Sequence, residues 1–578
     1  MCNPARLLAY PQGMKCGLSG ETREATTVET AAMTTFAGFG ERVLALGMLA
    51  LMVGILFMPG HSARGAKRET FDRESPLRLA PVFDFQASGA LDDAHRTPPT
   101  RATLIPENAR AGNTGKAVAP GGPALLQVKV VDLIPASLSG ETNQDSEPFL
   151  AIQPANPQVM VASAFTPNPV SSTGNAPVYV SQDGGNTWVL NAIAPVQRLT
   201  CDITHAMAAG ENHPRGDLHA GTLACASATT LGESETIDVS SSTSMNVQST
   251  RSNVDQPFVR ALAISNSDHI YVGVNDFNQP RGRTATVDVS PDGGATYKSI
   301  SIEARDTMGQ DGPSIRPAVA GDGTVYAAFF GWRKFDGRTA TSDVVVVRDD
   351  TGAIGGSPFQ ALKDPSDNLP GRLVVRGVSI PWSNSPTLGQ ERIGSTLSIA
   401  VDPSNSSTVY VGWADHGSKG DIYTLHVRRS TDRGATWSAR DLPNTTIRNA
   451  TNIALAVANN GVAGLLYQQF TGSRWITHLV QSHNGFATIQ NTLLASVPAN
   501  APTEQFLPYL GDYDYLLSVG SEFRGVFCAN NTPDLANFPQ GVTYQRAADF
   551  SKKRLTDGSG NAVPISIDPF YFSVAVIP

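Results

Sequence analysis

Acidic, arginine and tyrosine side chains recur in this 578-residue chain at comparable places, each just ahead of an apolar segment. Glu147 precedes Pro148-Phe149, Asp255 precedes Gln256-Pro257-Phe258, and Asp311 and Arg316 bracket Gly-Pro-Ser-Ile. Glu391 and Arg392 precede Ile-Gly-Ser-Thr-Leu, and Glu504, Tyr509, Asp512 and Tyr513 share one stretch. Carboxylates can give and take protons, arginines can hold an anionic group through paired hydrogen bonds, and aromatic faces can stack on sugar rings. Asp276 with Arg281, Trp332 with Arg333, and Trp413 with Asp415 extend the set. As chemistry, the pattern offers Asp255 or Glu147 as general acid and Tyr509 or Tyr513 as nucleophile. Arg316, Arg392, Glu391, Asp311, Asp512, Trp332 and Trp413 would bind substrate. The plainer alternative is that charges at strand entrances bond to neighbouring backbone and pair with each other.

The segments behind these residues carry the two-residue periodicity of strands. Phe149-Leu-Ala-Ile is followed by Val159-Met-Val-Ala, Val259-Arg-Ala-Leu-Ala-Ile by His269-Ile-Tyr-Val-Gly-Val, and Leu397-Ser-Ile-Ala-Val by Thr408-Val-Tyr-Val-Gly-Trp413. Downstream of each pair comes a third strand ending in a Ser-x-Asp turn: Ser181-Gln-Asp183-Gly-Gly-Asn-Thr-Trp188, Ser290-Pro-Asp292-Gly-Gly-Ala-Thr-Tyr297 and Ser430-Thr-Asp432-Arg-Gly-Ala-Thr-Trp437. A worn copy, Ser482-His-Asn484-Gly-Phe-Ala-Thr-Ile489, follows. Asp183, Asp292, Asp432 and Asn484 are read as structural: the side chain accepts backbone N–H groups inside the turn while a glycine takes positive φ. Trp188 and Trp437 belong to the same turns and are read as packing residues.

A four-stranded unit repeated along the chain predicts an all-β fold, a β-propeller of four-stranded blades. Unit starts fall near residues 146, 216, 255, 311, 393, 451 and 505, which favours seven blades, with six as the alternative. The units near 216 and 311 lack the turn motif. In the second of the seven, Leu218-His-Ala-Gly-Thr-Leu-Ala and Thr236-Ile-Asp-Val-Ser are the strand candidates. Either Leu125–Leu133 or Phe570–Ile577 would supply the strand that closes the ring, since an open edge invites aggregation. In a blade the first and third strands run one way and the second and fourth return. The Ser-x-Asp turns therefore share one face, and the acid, arginine and tyrosine group gathers on the other, where the funnel opens.

Composition narrows the class further. Gly 53 and Pro 39 with few helical patterns speak against an α/β enzyme. Of 43 basic and 51 acidic residues, 13 and 11 precede residue 121, leaving 30 and 40 and a charge of about −10 beyond it. Nucleic acid is excluded as an expected partner. Val43–Met58 is an apolar run of 16 residues after Arg42 and before small residues, and it reads as a secretory signal peptide or a membrane anchor. Arg64, Lys67, Arg68 and Arg73 follow the run, the wrong side for a simple anchor with an exported C-terminus, so cleavage is favoured. The chain is expected to be secreted or extracytoplasmic. It divides into an N-terminal extension (1–63), a linker rich in Ala, Arg, Pro, Gly and Asp (64–123), and the propeller (124–578). Cys201 and Cys225 are disulfide candidates in such a compartment, and Cys528 is a buried strand residue. Cys201, Asp202, His205, His213, Asp217 and His219 cluster in the sequence without an established ligand spacing, so neither metal nor cofactor is expected.

The Ser-x-Asp-x-Gly-x-Thr-Trp turns resemble the Asp-boxes, or BNR repeats, of the sialidase superfamily, over roughly residues 140–550. That resemblance implies a propeller with an arginine triad for a substrate carboxylate, a tyrosine nucleophile activated by a glutamate, and an aspartate acid/base. It also implies an early Phe/Tyr-Arg-Ile-Pro motif. The matching stretch, Ser146-Glu-Pro-Phe-Leu, has no arginine, and the nearest echo, Ile315-Arg316-Pro317, lies in a later blade. Arg316, Arg392 and Arg524 are the triad candidates. Two functions follow: a sialidase-like glycoside hydrolase recognising a glycan or glycoconjugate, or a non-catalytic surface module that binds a protein.

Overall fold

The computed structural model describes residues 116–117, 127–142, 145–164, 175–196, 199–208, 217–225, 229–280, 282–305, 314–335, 339–381, 396–416, 423–442, 447–502 and 510–578. Val43–Met58 and the segments 1–63 and 64–115 lie outside the described residues. Six sheets of four successive antiparallel strands, and a seventh whose fourth strand comes from ahead of the first blade, form a seven-bladed propeller, and the only helical turn among the described residues is Ala136–Leu138. The six-bladed alternative is thereby excluded.

The innermost strands, blades 1 to 7, are Phe149–Ile152, Leu199–Ala208, Val254–Ile264, Arg316–Val319, Leu397–Asp402, Ala450–Val457 and Tyr515–Val519. One start differs from the sequence reading. Blade 2 begins at Leu199, and Asp217–Cys225, which includes Leu218, is its second strand. A bulge between Thr200 and Ile203 breaks the alternation of that first strand and hid it. Thr236 ends the third strand, and the Ile-Asp-Val-Ser that follows forms a turn with Ile237 exposed rather than a strand.

Closure uses both segments that the sequence offered as alternatives. Tyr515–Val519, Glu522–Asn530 and Ile567–Ala575 are completed by Val128–Asp132, which pairs antiparallel with the last of them from Val128 opposite Val574 to Asp132 opposite Phe570. A fully buried arginine pins this joint: Arg546 donates to Asp132 Oδ2 at 3.0 Å, to Asp568, and to the Glu141 carbonyl at 3.2 Å.

The core lies between blades. Val, Ile and Leu from facing sheets interdigitate, as where Tyr326 and Phe330 of blade 4 share a cluster with Leu397, Val411 and Trp413 of blade 5. Glycines in second strands set how closely the next blade approaches. A Cβ on Gly273 would stand 2.1 Å from the Ile315 carbonyl oxygen, and one on Gly412 2.3 Å from Ile453 Cδ1. Here the side chain is absent so that a neighbouring backbone or branched chain can occupy its place.

The Ser-x-Asp turns sit between third and fourth strands. Asp183 Oδ1 accepts from the Asn186 and Thr187 N–H groups at 3.0 and 2.9 Å, Asp292 and Asp432 accept from Thr296 and Thr436 at 2.9 and 2.8 Å, and Asn484 from Thr488 at 2.9 Å. Blade 4, which lacks the motif, places Asp349 in the same role: it accepts from Thr351, Ala353 and Phe359 N–H groups at 2.7, 2.8 and 2.9 Å.

Candidate functional site at the funnel mouth

Three innermost strands carry a bulge at their starts: between Thr200 and Ile203, between Asp255 and Phe258, and between Thr451 and Ala454. The extra residue re-aims one side chain per strand. Asp202, Gln256 and Asn452 fall in these bulges, and Gln256 and Asn452 hold φ of 50° and 55°. Glu147, ahead of the first strand of blade 1, has φ 57°. Non-glycine residues in the left-handed region cost stability, and three of them at the entrances of innermost strands make that end of the channel a functional candidate. Gly511 makes room there, since a Cβ on it would lie 2.4 Å from the Glu147 nitrogen.

Arg316 opens the innermost strand of blade 4 and is 1 % exposed. It donates through Nη2 to Gln256 Oε1 at 2.8 Å and to Ser314 Oγ at 3.2 Å, and through Nε to the Leu397 carbonyl at 3.3 Å. Its guanidinium carbon stands 4.3 Å from the Phe258 ring centroid and 5.5 Å from that of Tyr513. Burial pushes its pKa down to about 10, against the pull of Tyr513, Asp202, Asp512 and Glu147, so it stays charged at neutral pH.

Around this cation the carboxylates are in excess. The Tyr513 hydroxyl donates to Asp202 Oδ1 at 2.8 Å, and Gln256 Nε2 donates to Asp512 Oδ2 at 3.2 Å. Burial, reinforced by Asp202 and Glu147, holds the Tyr513 phenol well above its usual range, so it rests protonated. Below, Phe149 stacks on Tyr515 at 3.9 Å and meets Phe258 edge-on at 5.0 Å. Arg260 lies over both Phe258 and Tyr515. A small cavity bordered by Arg316, Tyr513 and Asp514 has room for about one water.

Of the residues singled out by sequence, the structure brings Glu147, Arg316, Asp512 and Tyr513 together, with Asp255 at the start of the adjoining strand. Asp311, Glu391, Arg392 and Tyr509, together with Glu504 and Arg281, lie outside the described residues. Trp332 and Trp413 are each 1 % exposed, the first tilted against Phe335 at 5.1 Å and the second stacked on His426 at 5.0 Å, so neither ring is open to a sugar. Arg524 is at the opposite end, bound to Glu522 and the Pro157 carbonyl, and joins no triad with Arg316. The sequence reading missed Asp202, Gln256 and Ser314 as mouth residues. Asp202 stood out only as a metal candidate, and its true place depended on recognising the first strand of blade 2. Cys201, next to it, is disulfide-bonded, and Cys225 lies on the strand that pairs with its own. His205 is buried edge-on to Phe149, and burial pushes its pKa down to about 3, leaving it neutral.

No family model matches the chain, and no curated protein matches it. Among solved structures, an α-L-arabinofuranosidase of Fusarium graminearum in complex with an iminosugar inhibitor is 10 % identical with a TM-score of 0.39, over 76 % of this chain and 97 % of its own. The α-L-arabinanase of Penicillium chrysogenum complexed with arabinobiose is 11 % identical with a TM-score of 0.37, over 76 % and 97 %. The endosialidase of phage phi92 is 10 % identical with a TM-score of 0.37, over 78 % and 70 %. At these values the likenesses say nothing of what this chain does.

Proposed function

We propose that this propeller is an exported, sialidase-like glycan-recognising protein that hydrolyses a glycosidic bond at its funnel mouth. The observation that carries the reading is the Tyr513–Asp202 hydrogen bond beside Arg316, with Glu147 and Asp512 in the same electrostatic neighbourhood. A hydrolase of this kind needs a protonated acid for the leaving oxygen and a base or nucleophile across the ring. Glu147 and Asp255 are the candidates for the acid. Asp202 is placed to take the Tyr513 proton as that oxygen, or a water next to it, attacks. Arg316, whose Nη2 and Nε donate to Gln256, Ser314 and the Leu397 carbonyl, acts as a fixed positive charge beside the mouth carboxylates rather than as a substrate clamp. Export is supported by the disulfide at Cys201, which an oxidising compartment would preserve.

Those bonds from Arg316 to the surrounding fold favour a second reading, a non-catalytic module whose mouth charges serve the fold. A panel of fluorogenic glycosides, the sialoside among them, separates the two. Turnover by the purified chain that falls by about 100-fold or more in Glu147→Gln and Asp202→Asn is the expected result. No turnover on any glycoside, with no glycan retained on an array, overturns the hydrolase and leaves the module.

A further inference from the structure

On the second strand of blade 2, Asp217, His219 and Gly221 alternate along one face. That face looks at blade 3: a Cβ on Gly221 would meet Pro257 Cβ at 3.1 Å and Val259 Cγ2 at 3.2 Å. At the start of the second strand of blade 3 stands Asp268, and His219 Nε2 lies 3.0 Å from its Oδ2. One ligand-type atom from each of Asp217, His219 and Asp268 falls within 4.8 Å of the others, and all three residues are buried. We propose that Asp217, His219 and Asp268 bind one divalent transition-metal ion that cross-links blades 2 and 3 at the face opposite the mouth.

One atom points to a ligand beyond the clustering itself. Asp268 is 3 % exposed, yet its Oδ1 is buried without a hydrogen-bond partner, on the carboxylate whose Oδ2 faces His219 Nε2. A buried lone pair left unused is costly, and a cation held by Nε2 and this carboxylate would use it. The donor set is one imidazole nitrogen and two carboxylates. It suits zinc or manganese, whereas calcium and magnesium prefer oxygen alone. Tetrahedral zinc with bonds near 2.0–2.2 Å spaces its ligand atoms roughly 3.3 Å apart, close to the His219–Asp268 separation already present. A water would fill the fourth position.

A link has a reason to be here. Blade 2 lacks the Ser-x-Asp turn, and its outer turn is tied backward to blade 1, where Asn191 Nδ2 donates to the Val239 carbonyl at 2.8 Å. The His219–Asp268 contact ties it forward. Asp217 and His219 stood among the sequence candidates, but the third ligand comes from the next blade, some fifty residues on, where no spacing rule reaches.

The test uses the full chain without an affinity tag, stripped with a chelator, then titrated with zinc chloride or manganese chloride. Bound metal is measured by mass spectrometry after gel filtration, and unfolding by calorimetry. One metal per chain, with a rise in Tm, is expected for the wild type. Asp217→Asn and Asp268→Asn, nearly isosteric, should weaken binding by roughly 100-fold or more and abolish the rise. Wild-type protein that retains neither metal overturns the proposal, whatever the variants do. So does binding in both variants as tight as in the wild type, or an X-ray absorption spectrum of the bound zinc that shows sulfur or several imidazoles.

Discussion

His426 lies between Asp415, 2.9 Å from Nε2, and Asp441, 2.8 Å from Nδ1, with the Trp413 ring stacked on it and Trp413 Nε1 donating to Asp415 at 3.1 Å. Burial works against its charge, but the hydrogen bonds and the negative field of the two aspartates outweigh it and raise its pKa to about 9. A folded pKa above the unfolded value near 6.5 gives a contribution that is complete below that value and fades as pH climbs through about 9. Wild type should therefore exceed His426→Gln in unfolding free energy at pH 6, and the gap should shrink between pH 6.5 and 9. Denaturant titrations at four or five pH values measure it, and a gap independent of pH would mean that the imidazole is not charged in the fold. The same geometry explains why Trp413 does not serve as a sugar platform: one face of its ring is spent on the imidazole.

At the scale of strands, the second-strand glycines are spacers, and they should respond to substitution by location rather than by conformation. Gly273→Ala drives a methyl against the Ile315 backbone, which cannot rotate away, and should cost about 3 kcal/mol or more by forcing blades 3 and 4 apart. Gly356→Ala meets nothing within 4 Å and should fall within about 0.5 kcal/mol of wild type. Thermal unfolding of the pair checks this, and equal losses would refute the spacer role. Much of this level was legible in advance. Alternating strands such as Val259–Ile264 and His269–Val274, and turns such as Ser290–Tyr297, carry their own local chemistry, and they led to the repeat and the blade count. The bulges were not legible, because one unpaired residue looks in sequence like a broken alternation. Losing the first strand of blade 2 this way moved Asp202 out of the mouth in the sequence reading. Glu147, Arg316, Asp512 and Tyr513 were found because they precede strands whose periodicity is intact. Gln256 and Ser314, being neutral, gave no signal beside them.

The ring as a whole depends on one buried cation. Arg546 faces two carboxylates, Asp132 on the N-terminal closing strand and Asp568 on its partner, and all three are inaccessible to solvent. Arg546→Leu would leave two buried acids without their counter-ion, a loss of about 3–5 kcal/mol, and should lower the midpoint of global unfolding rather than melt one blade. Hydrogen exchange across all seven blades distinguishes these outcomes, and protection lost only in blade 7 would contradict the cooperative reading.

Because Val128–Asp132 pairs along its whole length with Ile567–Ala575, a strand made before six of the blades must wait for one made after them. Until then six finished blades would stand as an open arc with apolar flanks at both ends, the form most exposed to pairing with another copy. Synthesis that stalls before Ile567 thus yields an arc that lacks the strand on which Val128–Asp132 closes the ring.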